Sequence, residues 1–291
     1  MVKFAVVGGN ASKDLARRIA RRLKARYIET QTKIFPDGES KITFGGIPKR
    51  SVVLVVQSTY PPVDTNLLQA LSIISQAKKA SSKIYAIIPY MGYARQDRQF
   101  LSGEVVTMSI VAKMLQAAGT KKVIFVDIHS KAALNHFKIP IENVSAIPKL
   151  AIYFRKMKLK NPLVVSPDMG GSLRAKEFAG LLNTDFITLK KSRNRNTGKV
   201  LIQSSRVDVH GRDLILVDDI ISTGSSIIKA TQFLKRKKCK RVFVACTHGL
   251  FIADAERKIK KAGASQIIST NTIPRSTSKV DVSGVITESF Q

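Results

Sequence analysis

The stretch LILVDDIISTGSS, Leu214–Ser226, decides how this chain reads. An apolar run ends in two adjacent carboxylates, Asp218 and Asp219, and passes into a hydroxyl-rich turn with a glycine at its centre. A short continuous apolar run bounded by a turn fits a strand buried on both faces of a parallel sheet. Such a sheet delivers the carboxyl ends of its strands to a ligand crevice. The turn then leads into SIIKATQFLKR, a helix. Backbone N–H groups in a turn of this kind form a concave anion site at a helix N-terminus, and Gly224 lets the ligand approach closely. Ser222, Thr223, Ser225 and Ser226 add hydroxyl donors. The carboxylates suit something that is not anionic, either sugar hydroxyls or Mg²⁺. Together these groups describe a pocket for a sugar phosphate. Ser225 or Ser226 as a simple helix cap is the plainer alternative, and the acidic pair at the strand end favours the pocket.

Outward from this stretch, β-branched runs alternate with helical ones. KFAVVG, SVVLVVQS, KIYAIIPY, KKVIFVDI, PLVVSP, DLILVDD and RVFVAC read as strands, and DLARRIARRLK and NLLQALSIISQAKKA read as helices between them. The class is α/β, with a mainly parallel sheet flanked by helices. The pattern also repeats. VVLVVQST followed by NLLQALSIISQAKKASSKIYAIIPY parallels LILVDDIIST followed by SSIIKATQFLKRKKCKRVFVACTH, and AAGTKKVIFVD parallels KAGASQIISTN. Two tandem copies of one domain follow, over 1–145 and 146–291. The copies differ at the decisive strand end. Gln57 stands where the second copy has Asp218, and Pro61 and Pro62 replace the glycine turn. Proline donates no N–H, so the first copy is a poor phosphate cradle.

The 291 residues carry 49 Lys and Arg against 20 Asp and Glu, a formal charge of +29. That excess implies anionic partners. It lies largely in helical runs such as ARRIARRLKAR and FLKRKKCKR, which read as solvated faces. Aromatic residues that could stack bases are sparse there and tryptophan is absent, so no specific nucleic-acid site is expected. No apolar run of about eighteen residues predicts a membrane span. The opening MVKFAVVGGN lacks a secretory pattern, and two cysteines, Cys239 and Cys246, suit a reducing compartment. The expected location is the cytoplasm.

Five further motifs follow in order. FPDGES, 35–40, has turn chemistry, with Pro36 ahead of Asp37 and Gly38. PYMGYARQDRQF places Arg95, Gln96, Asp97 and Arg98 just after a strand end, and VDIHS places His129 similarly. VVSPDMGGSLRAKEFA sets Asp168 after a strand, followed by Gly170 and Gly171. LKKSRNRNTGK is rich in charge and turn formers, a composition suited to a mobile lid.

With VDDIISTGSS, these motifs resemble those of the ribose-phosphate pyrophosphokinase family, whose chains contain two type I phosphoribosyltransferase-like domains. The resemblance spans nearly the whole chain. It implies that Phe35, Asp37, Gly38 and Glu39, with Arg95, Gln96 and Asp97, bind ATP. It implies that His129 and Asp168 hold Mg²⁺, and that Lys191 and Arg193 are catalytic, chosen for the family's Lys-x-Arg spacing over the neighbouring Lys190 and Arg195, which stand as alternatives. Ribose 5-phosphate falls to Asp218, Asp219, Ser222, Thr223, Gly224, Ser225 and Ser226, assisted by Arg193. In that family the 35–39 loop serves a neighbouring subunit, which implies a homo-oligomer. The chain departs from the family at Ser222, where an aspartate is usual. The implied reaction moves the β,γ-diphosphoryl group of ATP to the 1-hydroxyl of ribose 5-phosphate. A phosphoribosyltransferase, or a non-catalytic regulatory or nucleic-acid-binding relative, are the alternatives.

Overall fold

A computed structural model describes residues 3–193, 200–203 and 208–290, with backbone alone for 190–193 and 200–203. The chain forms two compact units, Met1–Ser145 with 272–274 and 281–291, and Ala146–Asn271 with 275–280. Among the described residues no helix is long and apolar enough to cross a membrane.

The first unit is built from β1 (Phe4–Gly8), α1 (Lys13–Arg22), β2 (Arg26–Ile34), β3 (Ser40–Phe44), β4 (Val52–Val56), α2 (Val63–Lys78), β5 (Ile84–Ile88), α3 (Thr107–Ala118), β6 (Thr120–Val126) and β7 (Ile141–Val144). Its sheet has the order β3-β2-β1-β4-β5-β6-β7. Every neighbouring pair is parallel except β2 with β3, a hairpin.

The second unit holds α4 (Ile147–Arg155), β8 (Leu163–Ser166), α5 (Ser172–Leu182), β9 (Phe186–Thr188), the antiparallel pair β10 (Lys190–Arg193) and β11 (Val200–Gln203), β12 (Asp213–Ile221), α6 (Ser225–Arg236), β13 (Arg241–Gly249), α7 (Ala255–Lys261), β14 (Ala264–Thr270) and β15 (Ser278–Val280). Its sheet runs β15-β14-β13-β12-β8-β9, parallel throughout. The apolar runs read from sequence as strands are strands, and helices flank both sheets. The C-terminal helix α8 (Ser283–Glu288) packs with the first unit rather than the second. Asp281 takes part in that packing through ion pairs with Arg18 at 3.6 Å and Arg22 at 3.9 Å.

Side-chain alternation along a strand explains why LILV needs no polar face. Leu214 and Leu216 join one buried cluster, with Ile227, Ala230 and Leu234 of α6 and Ile259 of α7. Ile215 and Val217 point the other way, into a cluster with Leu150 and Phe154 of α4 and Phe178 of α5. The strand has apolar partners on both sides, as a parallel sheet requires.

In each unit the order of strands reverses once, between β1 and β4 and between β8 and β12. A reversal of this kind opens the crevice where open α/β sheets bind ligands.

Candidate active site

The reversal in the second unit gathers the acidic groups. β8 and β12 are paired, with Val165 opposite Leu216. Carboxylates stand near the ends of both strands: Asp168 lies two residues past β8, and Asp218 and Asp219 precede the last two residues of β12, Ile220 and Ile221. The Asp168 side chain accepts from the Gly171 N–H at 3.4 Å, and its carbonyl accepts from the Ser166 hydroxyl at 2.7 Å. A Cβ at Gly171 would stand 2.7 Å from that hydroxyl, so the turn holding Asp168 needs a glycine there.

Asp218 and Asp219 differ in exposure. The Asp218 side chain is 21% exposed and Asp219 6%. Arg174, in the first turn of α5, bridges them. Its Nη1 lies 3.4 Å from Asp218 Oδ1 and its Nη2 lies 3.0 Å from Asp219 Oδ2. Asp218 also accepts the Asp219 N–H at 2.9 Å. Burial, and then the neighbouring Asp219 carboxylate, push Asp218 up to about 8, while Arg174 pulls it down. Asp218 is therefore the more exposed member of the pair, and Asp219 also accepts the Ile220 N–H at 2.8 Å.

The turn beyond them has the form of an anion cradle. Gly224 has φ +73° and stands at the N-cap of α6, which has no side-chain cap. The cap is thus neither Ser225 nor Ser226, and the first N–H groups of α6 lack intrahelical partners. Thr223 and Ser225 are exposed, and their hydroxyls have no hydrogen-bond partner among the described residues. A Cβ at Gly224 would meet Ile259 Cδ1 at 2.9 Å and Ala255 Cβ at 3.4 Å, so α7 presses directly beneath the turn.

In the first unit the remaining candidate residues fall at three places. The 35–39 turn is the tip of the β2–β3 hairpin, closed by Gly38 N–H to Phe35 O at 2.9 Å and Phe35 N–H to Glu39 O at 2.8 Å. Gly38 has φ +93° there. Asp37, Gly38 and Glu39 are exposed, and Phe35 is half-buried beneath Lys33, 5.2 Å from its ring. Arg95 and Gln96 are exposed on the loop after β5, whereas Asp97 is buried. His129 is exposed on the loop after β6. In the second unit Lys191 and Arg193 lie on β10, opposite Ile202 and Val200 of β11. Their side chains lie outside the described residues.

Residues 4–119 match the N-terminal domain of ribose phosphate pyrophosphokinase, and residues 200–290 match the phosphoribosyl synthetase-associated domain. Over 279 residues the chain is 35% identical to the ribose-phosphate pyrophosphokinase of Sulfurisphaera tokodaii, covering 95% of this chain and 96% of that one. The chain belongs to the ribose-phosphate pyrophosphokinase family. It is also 38% identical, over 273 residues, to the Pasteurella multocida ribose-phosphate pyrophosphokinase, across 92% of this chain and 86% of the relative. The crystal structure of phosphoribosylpyrophosphate synthetase from Mycobacterium smegmatis superposes with a TM-score of 0.84 at 29% identity, covering 94% of this chain and 90% of that one.

Arg174 is the site residue that sequence reading missed. SLRAKEF looks like an ordinary polar helix face. Its proximity to the acidic pair follows only once α5 is laid beside β12, and the one signal in the sequence is two adjacent acids with no local cation.

Proposed function

We propose that this member of the ribose-phosphate pyrophosphokinase family transfers the β,γ-diphosphoryl group of ATP to the 1-hydroxyl of ribose 5-phosphate, giving phosphoribosyl pyrophosphate and AMP. The observation that carries the reading is the reversal point of the second unit, where carboxylates near the ends of paired strands precede a hydroxyl-rich helix start with no side-chain cap. The amides and hydroxyls of 222–226 bind the 5-phosphate, and Asp218 accepts hydrogen bonds from ribose hydroxyls. Ser222 supplies a hydroxyl where the family usually has a carboxylate, leaving Asp218 and the pair Asp219–Arg174 to orient the sugar.

Magnesium fits the donors present. Mg²⁺ takes one or two protein carboxylates and completes its shell with water and substrate phosphate. Asp168 offers a hard oxygen at a strand end, and His129 stands at the end of β6 in the first unit. Each of these residues would be a ligand to such an ion, which when bound neutralises phosphate charge. The residues of the chain supply position and further charge, the main needs of phosphoryl transfer. Arg95 and Gln96 hold the ATP phosphates and adenosine, with Asp97 in the same loop. Phe35 stacks on adenine while Asp37, Gly38 and Glu39 bind its polar edge and the nucleotide ribose. Lys191 stabilises the transition state and Arg193 the sugar phosphate and the transferred group.

The 35–39 tip stands at the β3 edge of its sheet, with β1 and β4 between it and the loops that carry Arg95 and His129. That separation supports the tip serving a second copy, and hence a homo-oligomer. Cys239 and Cys246 are buried and free, which supports a cytoplasmic location. The test is release of AMP from ATP. It is expected to require both ribose 5-phosphate and Mg²⁺, and release that ignores the sugar would refute the reading.

A further inference from the structure

Asp97 behaves unlike its neighbours. Arg95, Gln96 and Arg98 are exposed, while Asp97 is 6% exposed. Burying a carboxylate is costly unless it is hydrogen-bonded, and here the partner comes from the next loop. The Ser130 hydroxyl donates to Asp97 Oδ2. The Asp97 carbonyl lies 2.6 Å from His136 Nε2, so that nitrogen carries the proton. Ser130 in turn accepts the Ala132 N–H at 3.2 Å. Both polar ends of Asp97 are thus committed to the segment 130–136, which begins immediately after His129.

We infer that Asp97 is a positioning residue: it ties the loop carrying Arg95 and Gln96 to the loop carrying His129, and it does not touch the nucleotide. The inference rests on the proposal that Arg95, Gln96 and His129 serve Mg-ATP, and it specifies how Asp97 contributes. A hydrogen bond to a charged acceptor is about twice as strong as a neutral one. It is strong enough to keep two loops in one register. An inward carboxylate also keeps a negative charge away from a site meant for phosphates.

The test is steady-state kinetics of Asp97→Ala, Ser130→Ala and their double variant, with Asp97→Asn and Arg95→Ala beside them. Asp97→Ala and Ser130→Ala are each expected to raise KM for ATP about tenfold, the size of a lost charged hydrogen bond. KM for ribose 5-phosphate should stay within about twofold. Because both variants break one link, the double should be no worse than the poorer single. Asp97→Asn keeps an acceptor for Ser130 and should recover most of the loss. If Asp97 touches ATP itself, Ser130→Ala will leave KM for ATP unchanged and the effects of the two substitutions will add, which overturns the inference. A lower melting temperature with both Michaelis constants unchanged overturns it too. Ser130→Ala removes only one hydroxyl from a half-buried position, so the test stands even where Asp97→Ala fails to fold. If Arg95→Ala leaves KM for ATP unchanged, the nucleotide reading of the loop has failed. If Arg95→Ala raises it and Ser130→Ala does not, the link alone has failed.

Discussion

The two units meet the same topological problem at their reversal points and solve it differently. In the second, the space beyond β8 and β12 is bordered by Asp168 and Asp218, with an uncapped helix start beside them. In the first, the space beyond β1 and β4 is filled by the chain itself. Gln57 is fully buried, accepts the Ala11 N–H at 3.1 Å and donates to Asn66 Oδ1 at 3.2 Å. A Cβ at Gly9 would stand 2.2 Å from Gln57 Oε1. Ser58 and Thr59 are fully buried as well, and Thr59 accepts the Gly92 N–H at 2.7 Å. The donors and acceptors that would bind a ligand in one copy satisfy one another in the other. A duplicated scaffold therefore does not imply a duplicated site, because in the first crevice the polar side chains are buried and bonded to one another.

The segment after each unit's second strand shows the same divergence. In the first unit it returns as β3 and makes the β2–β3 hairpin with the 35–39 tip; in the second it makes the separate pair β10–β11 with Lys191 and Arg193. The largest expected effect is on this side of the comparison. Lys191→Ala should lower turnover about a thousandfold, as for other losses of charge stabilisation in a transition state, with both Michaelis constants within a few-fold. Near-normal turnover would remove the proposed role.

Thr223→Glu comes next. A negative charge among groups arranged for an anion costs several kcal/mol. Affinity for ribose 5-phosphate should therefore fall at least about a hundredfold by calorimetry. The matching control in the first unit is Pro61→Glu, at an exposed position, which should leave that affinity unchanged. Thr59, its closest sequence counterpart, is unsuitable because its burial and hydrogen bonds would make glutamate disrupt folding.

Arg174→Gln should raise KM for ribose 5-phosphate about tenfold, since it removes the charged bridge that holds the acidic pair. It should also move a pH profile. Asp218, pushed up to about 8, gains its full charge, and with it its strength as an acceptor for sugar hydroxyls, as pH rises through that value. Sugar affinity should therefore improve as pH rises through about 8, where the sugar's phosphate is already fully ionised. Removing Arg174 removes a charge that favours the carboxylate, so the rise should move to higher pH. A profile that stays in place would show that Arg174 has no electrostatic role.

Gly224→Ala should have the smallest effect. A left-handed residue with a Cβ costs about 1–2 kcal/mol, and this Cβ would also press on Ile259. The melting temperature should drop by about 2–6 °C, with a several-fold rise in KM for the sugar phosphate. A melting temperature equal to the parent's would contradict the described turn.

Much of this was legible in the sequence. LILV splits by parity into two buried clusters and STGSS leads into a helix, because these features depend on local period and turn chemistry, whereas the strand runs two residues past VDD, to Ile221. What escaped depends on contacts distant in sequence. Arg174 reaches Asp218 across 44 positions, and Ser130 reaches Asp97 across 33. RQDR reads as one polar run, although its third residue turns inward to meet a loop that folds beside it. The short strands β7, β9 and β15 have three or four residues each and carry too little periodicity to stand out. α8 is apolar enough to pack, but nothing in its composition says that its partner is the first unit.

The central claim is that only the second reversal point binds the sugar phosphate, and stoichiometry tests it most directly. Calorimetric titration of ribose 5-phosphate with Mg²⁺ present should give one site per chain in the parent, one in Pro61→Glu and none in Thr223→Glu. Two sites per chain in the parent, or a site that survives Thr223→Glu, would contradict it.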